Sequence, residues 1–397
     1  MNFLQNKRIL LGVSGSIAAY RSLDLIRLLQ EKDAEIKVIL TKGATNFITP
    51  LSFSAISRHH VYTDIFKNYP TIIHLELANW ADVLIIVPAT ANIIAKLAQG
   101  IADDLLSSII LAFNKPILIV PAMNPKMYAH PTVKANIERL KSYGYQIMQP
   151  AEGKLACNEK GKGRLPSVED ILETIEALFL PKDLKGYCAI ITAGPTREAI
   201  DPVRFISNYS SGLMGFALAK IAAQRGANVI LISGPTNLKP PYNVNFISVI
   251  TAEEMKETVL KYFPQADVVM MAAAVVDFKP IYQSEKIKKR NKINLNFELT
   301  PDILKILGER KKHQFLIGFA AETGELIVEA IKKLKEKNLD IIVLNDITYP
   351  NAGFGVPTNK VRIIYKNGVQ EVWPLLSKEE IAMRLWDRVK MALCRNY

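Results

Sequence analysis

Short apolar runs alternate with longer amphipathic stretches along the first part of the chain. Strands are predicted at Lys7–Val13, Glu35–Leu40, Val83–Val87 and Ile117–Val120, and the stretch after the first strand has helical periodicity. Nearly continuous apolar strands that alternate with amphipathic helices are typical of a parallel sheet covered on both faces. In such sheets, ligands bind at the loops that follow the carboxyl ends of the strands. The informative loops are therefore those that read GVSGS, PATAN and PAMN.

This pattern is interrupted in the middle of the chain and then resumes. Residues 152–165 are rich in glycine and lysine and lack an apolar period, which predicts a flexible flap. Residues 166–180 predict a helix with Ser167 as its N-cap, and 180–186 predict a linker. The later predicted elements are strands at Tyr187–Thr192, Asn228–Ser233, Asp267–Ala273, Gln314–Phe319 and Asp340–Leu344, with a helix beginning near Ser211.

The elements predict an α/β fold of two doubly wound domains in tandem, at residues 1–186 and 187–397. The length of 397 residues agrees with two or three domains, and 49% hydrophobic and 22% charged residues are ordinary for a globular protein. The formal charge of +12 favours anionic partners such as phosphorylated metabolites, nucleotides or nucleic acid. Three widely spaced cysteines indicate a reducing compartment, and we find no signal peptide or membrane-spanning run. We therefore expect a cytoplasmic protein.

Three loops of the first half contain candidate ligand-binding residues. The motif GVSGSIA, Gly12–Ala18, follows a strand and opens a helix, where small residues let backbone N–H groups approach a phosphate. The motif is neither GxGxxG nor a lysine-containing phosphate loop, and a tight turn between strand and helix accounts for it equally well. Asn92 and Asn124 can each bind a carboxylate or a flavin edge, or simply cap a helix.

One histidine and one cysteine of the first half suit proton transfer. His74, in IHLELANWAD, is a candidate general base because histidine titrates near neutrality, although a structural role is common for single histidines. Cys157 lies in the predicted flap between Lys154 and Lys160, and nearby positive charge makes a thiol a better proton donor or nucleophile. An incidental cysteine is the alternative. Cys188 in a strand and Cys394 in the tail are interpreted as structural, and the remaining histidines lack zinc-ligand spacing.

The second half contains a loop, an acidic residue and lysines that suit an anionic ligand. Asn208 and Ser210–Gly212 lie just before a predicted helix, which indicates either anion binding or ordinary capping. Asp277 follows a strand and can hold a sugar hydroxyl or a metal-bound phosphate. The basic run 285–292, EKIKKRNK, is either a solvated face or a clamp for a triphosphate. The same alternatives hold for Lys333 and Lys337, spaced i, i+4.

Taken in order, these motifs resemble the bacterial bifunctional phosphopantothenoylcysteine decarboxylase / phosphopantothenate–cysteine ligase family of coenzyme A biosynthesis. The first half resembles the flavin-dependent cysteine decarboxylases through GVSGSIA, IHLELANWAD, PATAN, PAMN and LACNEKGKGRL. The second half resembles the ligase through TAGPTRE, DPVRFISNYSSGLMG, AAAVVDF, EKIKK, TPDIL and GFAAET. Each motif is weak alone, but their joint order across the whole chain is specific.

For the first half, the resemblance implies a flavodoxin-like domain that binds FMN and decarboxylates the cysteinyl part of its substrate. It implies that His74 is the active-site base, that Asn124 contacts the substrate carboxylate and that Cys157 protonates the enethiolate intermediate. PATAN replaces the family's PASAN, and threonine keeps the hydroxyl. The implied cofactor-binding residues are Gly12, Ser14, Gly15, Ser16, Thr41, Pro88, Ala89, Thr90, Asn92 and Met123.

For the second half, the resemblance implies a Rossmann-like ligase domain that forms an acyl-cytidylate from 4′-phosphopantothenate and CTP, with Mg²⁺ on the phosphates. It implies that Asn208 binds the activated acyl group, that Lys286 stabilises charge on the reacting phosphate and that Asp277 binds the nucleotide or its magnesium. GPTRE stands where relatives often have GGTRE, so Pro195 removes one N–H donor. The other implied substrate-binding residues are Ser210, Ser211, Gly212, Met271, Ala272, Ala273, Pro301, Asp302, Ile303, Leu304, Phe319, Lys333 and Lys337.

The implied overall reaction joins cysteine to 4′-phosphopantothenate and decarboxylates the product to 4′-phosphopantetheine. The resemblance also implies a homo-oligomer, a dodecamer of decarboxylase trimers joined through ligase dimers, without nucleic-acid or membrane partners. One alternative is another flavin decarboxylase or an FMN prenyltransferase fused to a nucleotide-binding domain, against which Cys157 and the PAMN loop argue. The other is a basic nucleic-acid-binding or flavin-sensing regulatory protein, although no helix-turn-helix, zinc-finger or RNP pattern is present. The choice between CTP and ATP stays open.

Overall fold

The chain folds into two compact units that divide between Leu180 and Pro181. The computed structural model describes residues 2–67, 69–154, 160–288, 294–322, 327–346, 349 and 351–395. The division falls earlier than the expected boundary after Gly186, because the segment before that glycine packs into the second unit. Leu184 is fully buried there and its N–H donates to the Arg225 carbonyl at 3.2 Å. No helix in the described ranges is long and apolar enough to cross a membrane.

The amino-terminal unit is built on a parallel six-stranded sheet in the order β3-β2-β1-β4-β5-β6. Without the two-residue edge strand β3, the order is that of flavodoxin-like sheets. The elements of this unit are β1 (Arg8–Val13), α1 (Arg21–Gln30), β2 (Glu35–Leu40), α2 (Pro50–Ser57), β3 (Val61–Tyr62), α3 (Ile73–Trp80), β4 (Val83–Ala89), α4 (Ala91–Gln99), α5 (Leu105–Ala112), β5 (Ile117–Pro121), α6 (Pro125–Ala129), α7 (Pro131–Ser142), β6 (Gln146–Ile147), β7 (Ala151–Lys154), β8 (Lys160–Arg164) and α8 (Val168–Leu178).

The central strands are apolar on both faces because helices cover both faces of the sheet. Every residue of β4 is buried, as is every residue of β5. Leu84 and Ile86 of β4 pack in one core with Leu77 of α3 and Ile109 of α5. Ser167 caps α8 as predicted, by accepting a hydrogen bond from the Asp170 N–H.

The predicted flexible flap contains an antiparallel hairpin, formed by β7 and β8. The prediction missed these strands because a glycine- and lysine-rich hairpin pairs through its backbone and needs no apolar alternation. The tip of the segment, with Cys157, lies outside the described residues.

The carboxy-terminal unit is built on an eight-stranded sheet in the order β13-β12-β9-β14-β17-β18-β20-β21. Its elements are β9 (Cys188–Ala193), β10 (Arg197–Ala199), β11 (Phe205–Ser207), α9 (Leu213–Gln224), β12 (Asn228–Ser233), β13 (Asn245–Ser248), α10 (Ala252–Tyr262), β14 (Val268–Met271), β15 (Phe278–Pro280), β16 (Phe297–Leu299), α11 (Ile303–Arg310), β17 (Phe315–Glu322), α12 (Ile327–Glu336), β18 (Ile341–Asp346), β19 (Thr358–Asn359), β20 (Val361–Tyr365), β21 (Gln370–Val372), β22 (Leu376–Ser377) and α13 (Lys378–Arg395). The first six strands of the sheet are parallel and follow the Rossmann order, 3-2-1-4-5-6 when counted along the chain. The antiparallel extension by β20 and β21 was not predicted.

Helix α9 fills the space beside β9 and begins later than predicted. Its start is set at Gly212, which caps the helix with a φ of +81°. A Cβ atom on Gly215 would lie 2.7 Å from the Thr192 carbonyl oxygen, so the helix backbone rests directly on the strand. Trp386 of α13 donates its indole N–H to the Leu218 carbonyl at 3.0 Å. Helix α13 includes Cys394.

Candidate active sites

In the amino-terminal unit, one serine joins the loops after β1 and β4, between which the strand order reverses. The buried Ser14 hydroxyl donates to the Pro88 carbonyl at 2.8 Å and accepts from the Thr90 N–H at 2.9 Å. The Ser14 N–H also donates to the Pro88 carbonyl, at 3.2 Å. The carboxyl ends of these two strands therefore form one rigid floor at the position where doubly wound sheets bind ligands.

Beside this floor, the loops after β1 and β2 approach each other at backbone distance. A Cβ atom on Gly15 would lie 2.8 Å from the Gly43 carbonyl carbon, so only glycine fits there without displacement. The Thr41 N–H continues the parallel pairing by donating to the Val13 carbonyl at 3.1 Å. Ser16 caps the short 3₁₀ turn that follows. A narrow cradle of glycine and hydroxyl residues at a helix start suits a phosphate group.

The two candidate asparagines have different roles in the structure. Asn124 is the N-cap of α6 and accepts from the Lys126 N–H at 2.8 Å, so the capping interpretation holds for this residue. Asn92 does not cap α4, because Thr90 does, and it is exposed in the first turn of that helix. The loops after β4 and β5 are joined by a hydrogen bond from the Ala122 N–H to the Ala89 carbonyl at 3.0 Å.

The hairpin of β7 and β8 is docked on the PAMN loop. The Met123 N–H donates to the Gly163 carbonyl at 3.0 Å. A Cβ atom on Gly163 would lie 2.3 Å from the Met123 carbonyl oxygen, so the two backbones are in direct contact. The hairpin is therefore anchored beside the candidate residues of the PAMN loop.

His74 lies at the same edge of the sheet as these loops. It is half-buried in the first turn of α3, and α3 precedes β4 in the doubly wound arrangement. A helix that connects two parallel strands runs antiparallel to them, so its first turn lies near the carboxyl ends of the strands. Within the described residues the imidazole has no hydrogen-bond partner, which leaves it available to a ligand or to solvent.

In the carboxy-terminal unit, a cavity lies at the corresponding position, between the loops after β9 and β14. It gathers the predicted Ser210–Gly212, Ala272, Ala273 and Phe319. Its full lining is Ser210, Ser211, Gly212, Leu213, Met214, Ala272, Ala273, Ala274, Phe319, Ala320, Asn345, Gly353, Phe354, Asn359, Val361 and Lys378.

Two side chains, Thr192 of β9 and Asn208 after β11, join the two walls of this cavity. The exposed Asn208 donates its Nδ2 hydrogens to the carbonyls of Ala274 at 3.1 Å and Val275 at 3.3 Å. Thr192 accepts from the Ala273 N–H at 3.1 Å through its hydroxyl. Asn208 therefore borders the cavity through Ala274, and among the described residues its Oδ1 atom has no hydrogen-bond donor.

Sequence reasoning missed three polar residues that line the cavity: Asn345, Asn359 and Lys378. The buried Lys378 ammonium donates to the carbonyls of Gly353 at 3.0 Å and Val356 at 2.6 Å. Its burial lowers its pKa to about 8. The Asn345 Oδ1 atom is buried without a hydrogen-bond partner among the described residues. In the sequence, each of the three is only a polar residue near the end of a strand or helix. That pattern is too common to identify a residue as part of a site.

Lys286 is not part of that cavity. It is exposed and lines a second, polar cavity together with Gln283, Glu285, Lys288 and Asn296. This segment forms the loop that follows β15.

The remaining residues that were predicted to bind a ligand differ in their surroundings: some form ion pairs, some are exposed, and some are buried in the core. Lys337 pairs with Asp302 at 2.9 Å and directly follows α12, whereas Lys333 lies within that helix. Asp277 is exposed, and its carbonyl accepts from the Thr300 N–H. Met271, Ile303 and Leu304 belong to the hydrophobic core or pack against it, and Pro301 is half-buried. The described residues contain no group of three His, Cys, Asp or Glu side chains that could hold a metal.

The fold and the candidate sites define a class of protein with two doubly wound units in tandem. The first unit is flavodoxin-like and has a docked hairpin, and the second is Rossmann-like. In each unit the candidate site lies where the strand order reverses. Residues 2–180 match the family model described as flavoprotein, and residues 184–393 match that of the DNA/pantothenate metabolism flavoprotein C-terminal domain. The chain belongs to the family of the coenzyme A biosynthesis bifunctional protein CoaBC. It is 48% identical to the protein of that name from Bacillus subtilis over 394 residues, 97% of each chain. It is 44% identical to the one from Haemophilus influenzae, over 97% of this chain and 98% of that one.

Solved structures are similar to each unit separately. The C-terminal domain of a coenzyme A biosynthesis bifunctional protein CoaBC is 45% identical, with a TM-score of 0.46, over 53% of this chain and 98% of that one. A PPC decarboxylase mutant complexed with pantothenoylaminoethenethiol is 32% identical, with a TM-score of 0.40, over 43% of this chain and 97% of that one.

Proposed function

We propose that the chain ligates cysteine to 4′-phosphopantothenate in its carboxy-terminal unit and decarboxylates the product in its amino-terminal unit. The product is 4′-phosphopantetheine. One observation carries this proposal: a chain of the CoaBC family has a different candidate site in each unit, at the point where the strand order reverses. The amino-terminal site is a cradle of glycine and serine beside a docked hairpin, and the carboxy-terminal site is a cavity bordered by Asn208. The charge of +12 supports substrates that all contain phosphate.

The amino-terminal residues suit an FMN-dependent decarboxylation. FMN, when bound at the loops of Ser14, Gly15 and Thr90, supplies a hydride acceptor and donor that the side chains of this unit lack. His74 removes a proton from the cysteinyl group as general base. The Asn124 amide contacts the substrate carboxylate, and Cys157 returns a proton to the enethiolate that remains after loss of carbon dioxide.

The carboxy-terminal residues suit acyl activation by a nucleoside triphosphate, which we propose to be CTP. The carboxylate of 4′-phosphopantothenate attacks the α-phosphate, pyrophosphate leaves, and Lys286 stabilises the charge that develops on the phosphate. Asn208 then holds the acyl group while the cysteine amine displaces CMP. The nucleotide-binding residues that we propose are Met271, Ala272, Ala273, Pro301, Asp302, Ile303, Leu304, Phe319, Lys333 and Lys337, with Ser210, Ser211 and Gly212 on the phosphates.

The donor set suits a magnesium ion that is bound mainly by the substrate. Among the described residues, no metal-binding cluster of side chains is present, and Asp277 offers a single exposed carboxylate. Mg²⁺ is commonly held by one or two carboxylates together with substrate phosphates. We propose that Asp277 provides such a carboxylate, while the phosphates provide most of the other ligands. The ion would neutralise phosphate charge.

We also propose that the chain works as a homo-oligomer, a dodecamer of amino-terminal trimers and carboxy-terminal dimers. Each unit exposes large apolar side chains that a subunit contact would cover. Leu51 and Ile17 are 75% and 61% exposed in the first unit, and Tyr209 and Leu299 are 94% and 84% exposed in the second. Sedimentation of the purified chain tests this arrangement, and a monomer at micromolar concentration would contradict it.

The experiment that tests the function is a mass-spectrometric assay with 4′-phosphopantothenate, cysteine, CTP and Mg²⁺, together with the visible spectrum. A yellow protein that makes 4′-phosphopantetheine is expected. C157S should stop after loss of carbon dioxide, and H74N should stop before it, while both variants still ligate. K286Q should stop cytidylate formation and keep its flavin. Absence of both flavin and product in the unsubstituted protein would refute the proposal.

A further inference from the structure

A buried carboxylate links two distant loops of the carboxy-terminal unit. Asp201 is only 2% exposed. Its Oδ1 atom accepts from the N–H groups of Val203 and Arg204, both at 2.8 Å, and so closes a local turn. Its Oδ2 atom accepts from the Ile287 N–H at 3.1 Å, across 86 positions of the chain. Ile287 lies in the EKIKK loop, directly after Lys286.

The same turn binds the EKIKK loop at further points. Arg204 donates from Nη2 to the Ile287 carbonyl at 2.7 Å, so both backbone polar groups of Ile287 are bound by one turn. The Gln283 N–H donates to the Ile200 carbonyl at 2.9 Å. Lys286, beside this anchored residue, is exposed. The turn therefore sets the position of the loop backbone, while the lysine side chain remains accessible to a ligand.

The ionisation state of Asp201 suits a lasting structural contact. Burial acts to raise its pKa, but hydrogen bonds from the backbones of Val203, Ile287 and Arg204, and the charge of Arg204, outweigh burial and hold the pKa below its usual range. The carboxylate is therefore ionised at neutral pH, and both of its oxygens accept hydrogen bonds. Neither oxygen is needed for a ligand, so its role is structural support of the loop.

We propose that Asp201 is a positioning residue for acyl activation: through the Ile287 N–H, it holds the backbone that presents Lys286 to the reacting phosphate. This inference rests on the proposed role of Lys286. A lysine side chain has several rotatable bonds, so its ammonium is well placed only when its Cα atom is fixed. Misplacement of a catalytic group by about 1 Å costs about 100-fold in rate.

The test uses Asp201→Asn, which has nearly the same shape. The amide oxygen can still accept from Val203 and Arg204, but the amide nitrogen cannot accept from the Ile287 N–H. Two steps are measured separately on the full-length protein: pyrophosphate release from CTP and 4′-phosphopantothenate, and amide formation from the pre-formed acyl-cytidylate and cysteine. We expect D201N to slow the first step by about 10- to 100-fold and to leave the second step unchanged.

A matched control separates positioning from general stability. Asp267 also binds a distant backbone N–H, that of Cys188, at 2.7 Å, but away from the EKIKK loop. D267N should therefore leave both steps unchanged. In a K286Q background, D201N should cause no further loss, because the lysine that it positions is already absent. If D201N does not fold, Ile287→Pro removes the same N–H donor from the other side and should give the same selective defect.

Each outcome has a definite meaning. Wild-type pyrophosphate release by D201N, with a defective K286Q, would overturn the positioning role and leave the proposed function intact. An equal loss in both steps, or losses that multiply in the double variant, would also overturn it, because a merely structural carboxylate would act in that way. Wild-type activation by K286Q would refute the role of Lys286 and this inference with it.

Discussion

Gly163→Ala tests whether docking of the hairpin on the PAMN loop supports decarboxylation. A Cβ atom on Gly163 would lie 2.3 Å from the Met123 carbonyl oxygen, 3.2 Å from the Pro125 nitrogen and 3.3 Å from the Asn124 carbonyl carbon. Cβ atoms essentially never approach other atoms closer than 3.0 Å, so strand β8 must retreat by about 0.7 Å. All three neighbours are backbone atoms, so no side-chain rotation can relieve the contact.

The displacement should reduce both the stability of the unit and the rate of decarboxylation. Overpacking of this kind costs about 1–3 kcal/mol. The retreat also stretches the hydrogen bond from the Met123 N–H to the Gly163 carbonyl, now 3.0 Å, and shifts the hairpin relative to Asn124. Because misplacement by about 1 Å costs about 100-fold in rate, we expect decarboxylation to fall by 10- to 100-fold. Flavin content should fall less than the rate, since the displaced contact involves Met123 and not the expected flavin-binding residues Ser14 and Gly15.

The assay follows conversion of 4′-phosphopantothenoylcysteine to 4′-phosphopantetheine, with flavin content measured by absorbance and ligation measured in parallel. Gly153→Ala in the partner strand is the matched control, since its Cβ atom would meet only Arg164 side-chain atoms, at 3.5 and 3.7 Å. Normal decarboxylation by G163A would refute the role of docking. An equal defect in G153A would mean that the hairpin tolerates no added side chain, and the argument from the Met123 contact would fail.

Three further predictions concern single buried or paired groups. Ser14→Ala leaves the Thr90 N–H without its partner, so it should lower the free energy of unfolding of the amino-terminal unit by about 1–3 kcal/mol. Urea unfolding measures this change. An unchanged midpoint would contradict the role of that hydrogen bond. Burial lowers the pKa of Lys378 to about 8, so between pH 8 and 10 the folded protein loses this proton while the unfolded chain keeps it. The free energy of unfolding, relative to that of K378M, should therefore rise by up to about 3 kcal/mol over this range. A difference that does not change with pH would refute this. Hydrogen bonds from Arg388 hold the pKa of Glu371 at about 2, so the ionised carboxylate stabilises the fold above pH 4.5. The free energy of unfolding of wild type should exceed that of E371Q by about 2 kcal/mol there. In acid unfolding, this difference should disappear as the pH falls toward 2.

The central strands could be predicted because helices cover both of their faces. Glu35–Leu40 and Asn228–Ser233 are observed with the predicted bounds, since a short, nearly continuous apolar run is typical of a strand buried in a parallel sheet. The edges of the sheets could not be predicted. Strand β3 is only two residues long, and β20 and β21 pair antiparallel after an irregular segment, so neither has a distinct pattern.

The positions of the candidate sites were predictable, but much of their polar lining was not. Loops after parallel strands meet at the switch point whatever their composition, so Ser14 and Ser210–Gly212 could be singled out. Lys378 lines its cavity only because Gly353 and Val356 fold over it. Asp201 acts on a residue 86 positions away. Contacts of this kind depend on the tertiary fold, and no local spacing encodes them.

The two units use one structural device for two different chemistries. In each unit, a side chain that lies between the first strand and the next helix binds backbone groups at the carboxyl end of a neighbouring strand. Ser14 binds Pro88 and Thr90 at the end of β4, and Asn208 binds Ala274 and Val275 after β14. Because these bonds end on backbone groups, the crevice keeps its shape when neighbouring side chains change. The fold therefore provides only the crevice, and the reaction depends on the few groups added to it. In the first unit these include the docked hairpin. In the second unit Lys286 lies on a separate loop, so the role that we propose for it depends on how firmly that loop is held.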